Sequence, residues 1–259
     1  MHSAKVCAAV LFCAPLAALC AVFTTRLQPG AVAAWDKYIE RAELRQASRP
    51  ILEVNGESPV LIDLNPDGDN GGEDVPNGYI HHWIGAVRIP GITVAAVEAV
   101  LEDYDHYARI YSPDLKFASA SKSGGDAGQR SYDVRLITEQ VQGIGLHFAF
   151  DVRSRVQFKR AGGDGLVESR SYLIRESNSG KAPYTDLLPE GNDHGILWRL
   201  NSYWRLRQLG TSVYAECQAI SLSRKPFPGM HDLIKNRAKD SLSATILRTR
   251  NRVLGSGAP

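Results

Sequence analysis

The stretch GYIHHWIGAVRIPGITVAAVEAVLEDYDHYARIYSP, Gly78 to Pro113, changes its hydrophobic period midway. From Tyr79 to Ile89 the residues alternate, so Tyr79, His81, Trp83, Gly85, Val87 and Ile89 share one mostly apolar face of a strand. Pro90-Gly91 turns the chain. From Ile92 to Tyr111 apolar residues recur at helical spacing, with Val94, Val97, Val100, Leu101 and Tyr104 on one side. Asp103 or Asp105 starts a second short helix that ends near Tyr111-Ser112-Pro113.

Beyond Pro113 the chain reads as strand after strand. The alternation predicts strands at Leu115–Ser121, Gln129–Glu139, Leu146–Phe158 and Leu166–Glu176, with a hairpin turn at Gly162-Gly163-Asp164-Gly165. After a loop from Ser177 to Asp193, the runs Gly195–Arg207 and Ser212–Ser221 form a long hairpin closed near Leu209-Gly210. Ile196, Trp198, Leu200, Ser202, Trp204 and Leu206 make its apolar face, matched across the turn by Val213, Ala215, Cys217 and Ala219. The other face carries Arg199, Tyr203, Arg205 and Glu216. A turn centred on Leu209-Gly210 puts Tyr203 opposite Glu216 and Arg205 diagonal to it, a salt-bridged ladder expected to face water. A reversed register would instead make a charged pocket. Met230 to Val253 closes the chain as a long amphipathic helix.

Antiparallel strands followed by one long helix define a two-layer α+β fold, a curved antiparallel sheet wrapped around the C-terminal helix. With its strand–helix–helix opening, and with GILWRLNSYWRL, VYAECQAISLSR and the terminal helix at its close, the segment 78–254 resembles the START-like (SRPBCC) superfamily. That superfamily includes the birch-pollen allergen, polyketide cyclases and steroid-transfer domains. The resemblance implies a helix-grip fold and a cavity between sheet and helix for a hydrophobic ligand. Residues 34–77 lie outside it, and 255–259 form a tail.

Within that frame His81, Trp83, Trp198, Ser202, Trp204 and Cys217 are the expected ligand-binding residues. Small side chains among the tryptophans either let the helix dock closely or leave volume for a guest. His81 points inward by alternation, as a polar hook or a core histidine, and His82 outward. Cys217, in an apolar run without a neighbouring base, reads as a buried thiol. The loop Ser177–Asp193 and the hinge Pro226–Gly229 are placed to gate entry.

Upstream, Lys5 precedes eighteen uncharged residues, Val6 to Phe23, and Ala31-Val32-Ala33 offers small residues for a peptidase. Residues 1–33 read as a cleaved secretory signal peptide of a periplasmic or secreted protein, with an uncleaved membrane anchor as the rival. Removing them leaves 28 basic against 28 acidic residues and only Cys217 of the four cysteines. An exported chain with one cysteine forms no internal disulfide and depends on its core. Zero net charge argues against a nucleic-acid partner, while leaving transient membrane contact open. Trp35–Gln46 has the pattern of a short amphipathic helix. Beyond it, Asp63 to Asp74 spaces oxygen donors like a calcium loop, but lacks helical flanks and ends on Asp, so it reads as an acidic linker.

No nucleophile elbow, P-loop, dinucleotide fingerprint or zinc spacing is present, so no catalytic residue, metal or cofactor is assigned. Three functions fit: a non-enzymatic carrier of a lipid or other hydrophobic small molecule, a cyclase-like enzyme with His81 as acid–base, and an envelope interaction module with a filled core.

Overall fold

A computed structural model describes residues 24–56, 58–63, 72–125, 128–142, 146–226 and 231–255. The leader stretch up to Phe23, most of the Asp63–Asp74 loop and most of the Pro226–Gly229 hinge lie outside the described residues. Among the described residues eleven strands are formed: β1 (Thr25–Arg26), β2 (Val60–Asp63), β3 (Gly72–Val75), β4 (Gly78–Pro90), β5 (Leu115–Gly125), β6 (Gln129–Gln142), β7 (Leu146–Ala161), β8 (Asp164–Ser177), β9 (Asn192–Asp193), β10 (Arg199–Leu209) and β11 (Ser212–Ser223). The helices of the described residues are α1 (Pro29–Ser48), α2 (Val94–Glu102), α3 (Tyr107–Ile110) and α4 (His231–Val253).

Nine strands join in one antiparallel sheet, ordered β2-β4-β11-β10-β8-β7-β6-β5, with β3 also on β4. The α+β helix-grip architecture expected from the sequence is the one observed. Thr93 caps α2 through its side-chain oxygen, which accepts the Ala96 N–H at 3.3 Å. The helix breaks at Asp103 and continues as a 3₁₀ turn and α3.

The inner core joins Val87, Ile89, Val97, Phe158, Leu206 and Ile246 between sheet and helices. On α4 the buried Leu242, Ile246 and Thr249 follow the expected spacing. At Gly85 the helix comes close to the sheet. A Cβ there would stand 2.4 Å from Ile246 Cδ1 and 2.7 Å from Leu61 Cδ2, so only glycine permits this approach.

The outer face is where expectation and structure part. It is covered, not solvated. Ala31, Trp35, Tyr38 and Ala42, one stripe of α1, pack in a second cluster with Ile80, Trp198, Tyr203, Ile220 and Leu222. Tyr203 is 0 % and Glu216 1 % exposed, and His82, although outward-pointing, is buried under the same helix. The physical reason is that the even positions of β4 are also apolar (Ile80, Ile84, Ala86), which demands a cover on both faces. The described residues of 34–77 therefore pack on the sheet, α1 on its outer face and β2 and β3 along β4. The helix begins at Pro29, six residues before the expected Trp35, and runs through the expected cut after Ala33.

Register differs too. Gly210, at φ +59°, opens a two-residue turn, so Leu209 pairs with Ser212. The centre moves one residue along, which places Tyr203 opposite Gln218 and Arg205 opposite Glu216. Among the described residues no helix is long and apolar enough to cross a membrane.

Candidate functional site

Between the concave sheet and α4 lies a cavity of 420 Å³. Its floor comes from inward-facing residues of β6, β7, β8, β10 and β11, including Val134, Val152, Val156, Val167 and Trp204. Its roof is one face of α4, where Ala238, Ser241, Leu242 and Thr245 recur at helical spacing. Neighbouring residues of α4's packing face thus do different work. Over Gly85 the helix sits on the sheet, while over the small residues Ser202, Ala219 and Ser221 it leaves space.

The structure brings four of the six expected site residues together on this cavity: His81, Ser202, Trp204 and Cys217. Cys217 is buried and free, and burial pushes its thiol well above the usual range, which leaves it a neutral wall atom. His81 sits at the end near Gly195, its Nε2 3.4 Å from the Ser223 hydroxyl and its ring tilted against Tyr79 at 4.8 Å.

Trp83 and Trp198 are corrections. Trp83 faces inward but is packed into the main core, with the Lys235 ammonium 5.7 Å over its ring, and does not line the cavity. Trp198 lies on the opposite side of the sheet, in the cluster beneath α1. It precedes β10, outside the alternation, and its indole N–H donates to Asp193 Oδ1 at 2.9 Å. The same oxygen accepts the Gly195 N–H at 2.7 Å. Alongside, Glu176 accepts both the His194 N–H and its Nδ1, at 3.1 and 3.0 Å. Burial raises the Asp193 and Glu176 carboxyls, and this buried corner fixes the turn that sends Trp198 outward.

A tyrosine wall is the part of the site that the sequence reading lacks. Tyr104, Tyr107 and Tyr111 line the cavity, with neighbouring ring centroids 4.8 and 4.9 Å apart. Burial raises all three phenols, Tyr111 to about 12, so they stay neutral donors. Tyr111 pairs with the Thr249 hydroxyl of α4 at 3.0 Å, while the buried Tyr104 hydroxyl has no partner among the described residues. Their three- and four-residue spacing is visible in the sequence as the helix face continuing past Asp103. Beside them Asp114 binds Arg248 of α4 at 2.8 Å, with Arg237 3.9 Å away.

The class defined by this arrangement is a helix-grip protein with an apolar cavity beneath its C-terminal helix. In fold the chain is similar to a STAR-related lipid transfer protein from Xanthomonas axonopodis, 15% identical over 70% of this chain and 96% of that one, with a TM-score of 0.47. It is similar also to the Zhui aromatase/cyclase of Streptomyces, 16% identical over 69% and 93% of the two chains, TM-score 0.44. A third is the lipid transfer and protein localization domain of human StarD13, 13% identical over 91% and 100%, TM-score 0.46. No family model and no curated protein matches the chain.

Proposed function

We propose that the protein binds a lipid or other hydrophobic small molecule in the cavity beneath α4 and carries or senses it without transforming it. The observation that supports this reading most is the 420 Å³ left between the floor and α4, mostly apolar and joined by a few hydroxyls. A filled interaction module would have no use for that volume, because native interiors are close-packed. Cyclase-like chemistry at His81 is the second reading, favoured by its place on the cavity wall.

Export is part of the proposal. The leader character of the stretch ending at Phe23 supports it, with a polar, folded segment starting at Thr24. The test is native mass spectrometry of the chain purified from an envelope extract, followed by organic extraction. A retained hydrophobic mass that disappears in Ser202→Trp supports a carrier. A bare mass, with the variant equally well folded and no fluorescent lipid probe bound, overturns it.

A further inference from the structure

The cavity floor is not uniformly apolar. Ser202 of β10 pairs directly across the sheet with Ser169 of β8, and both line the cavity. On β11, Ser221 sits diagonally from Ser202, opposite Leu200, and pairs in turn with His81 of β4. On β7, Ser154 sits diagonally from Ser169, because Val156 is the residue paired with it. These five residues all line the cavity and form one polar arc across five strands. The hydroxyls of Ser154, Ser169, Ser202 and Ser221 have no hydrogen-bond partner among the described residues. Ser154 is only 5 % exposed, so its inward-facing hydroxyl has nothing but the cavity to bond to. Tyr104 stands in the wall with a buried hydroxyl that also lacks a partner.

Resting on the proposed binding function, we infer that the ligand is a neutral hydrophobe bearing hydroxyl or carbonyl oxygens along one edge, laid on this arc. A plain hydrocarbon or the tail of a fatty acid would strip water from four hydroxyls and return no partner, the costliest way to bury a polar group. An anionic ligand would need a cation deep in the site. The lining arginines and lysine are Arg224 and Lys225 just beyond β11, and Arg237 and Arg248 of α4. The floor strands offer donors and acceptors without charge, which is what carbonyl and hydroxyl oxygens match.

The experiment compares two probes of one shape, androstane and androstanedione, with palmitate as the anionic chain. Binding is read by intrinsic tryptophan fluorescence and calorimetry on the delipidated full chain and on Ser169→Ala/Ser202→Ala. The diketone should bind the native chain more tightly than androstane by roughly tenfold or more, and the double variant should lose that margin while holding androstane as well as before. Palmitate should bind less tightly than the diketone. Equal binding of the two steroids to the native chain, or a margin untouched in the variant, overturns the inference while leaving hydrophobe binding intact. If none of the three probes binds and extraction yields no hydrophobic mass, the binding function itself fails and the inference with it.

Discussion

The Tyr38 hydroxyl lies 2.6 Å from His82 Nδ1, joining α1 to β4 through a buried imidazole. Burial, helped by the Arg45 guanidinium, lowers the His82 pKa to about 3. The folded protein therefore refuses a proton that the unfolded chain takes up near 6.5. A depressed pKa contributes stability above the unfolded value and loses it as the pH falls toward the folded one. Stability should decline below about pH 6.5, with this group supplying up to about 1.4 kcal/mol per pH unit. His82→Asn, which can keep the bond to Tyr38, should be less stable at neutral pH and should flatten the acid limb. Urea unfolding between neutral and acid pH checks this. A gap between native and variant that stays constant would mean that His82 does not titrate on unfolding.

Glu216 is a second clamp on the same face. Arg49 grips its carboxylate with two bonds of 2.9 and 2.5 Å, the Leu52 N–H adds a third at 3.0 Å, and Arg205 stands at 3.4 Å. Because Glu216 is buried, Glu216→Ala would leave two half-buried guanidinium groups unpaired, a loss of about 3 kcal/mol or more. Lys225–Asp74, exposed on both sides, is the control, and breaking it should cost well under about 1 kcal/mol. Chemical denaturation of both variants separates the cases. Equal small losses would show that the Glu216 carboxylate is solvated.

Gly85→Ala should destabilise the protein by about 1–3 kcal/mol, since the new methyl meets Ile246 and Leu61 at sub-van-der-Waals distance. The change acts on the seat of α4, so ligand retention should fall with it. Gly124→Ala, at a β5 position with nothing within 4 Å, should be nearly neutral. Thermal unfolding of the pair is the measurement, and equal shifts would refute close docking at Gly85.

The fold is legible in the sequence because its signals are periodic. The switch from two-residue to helical period after Pro90 and the long alternating hairpin carry the architecture. The inward stripe of α4 does the same, and these predicted positions are the observed ones to within a few residues. The features that sequence reading misplaces depend on breaks in periodicity or on long-range cover. Trp198 is given an inward direction by an alternation that begins only at Arg199. Trp83 does face inward, yet whether an inward residue meets helix or space depends on where α4 lands, which Gly85 decides. The arginines of the outer face suggest water beside it, although Ile220 and Leu222 together with the apolar even positions of β4 call for a cover. The apolar spacing of Ala31, Trp35, Tyr38 and Ala42 is there to supply it.

Under the proposed export, that cover bears on where a processed chain can begin. Leu27 donates its N–H to Gly191 O at 2.7 Å, Thr25 pairs with Asp193, and Ala31 is fully buried against the outer cluster. A chain starting at Ala34 lacks all three contacts and the first turn of α1. Its helix would start one residue before Trp35, whose own loss should cost about 3 kcal/mol or more. The chain from Thr24 should therefore unfold at clearly higher urea than the chain from Ala34. Intact mass of protein taken from the envelope should place the N-terminus at or before Thr24. A native mass beginning at Ala34, with the two chains equally stable, would show that the segment from Thr24 to Ala33 plays no part in holding α1 to the sheet.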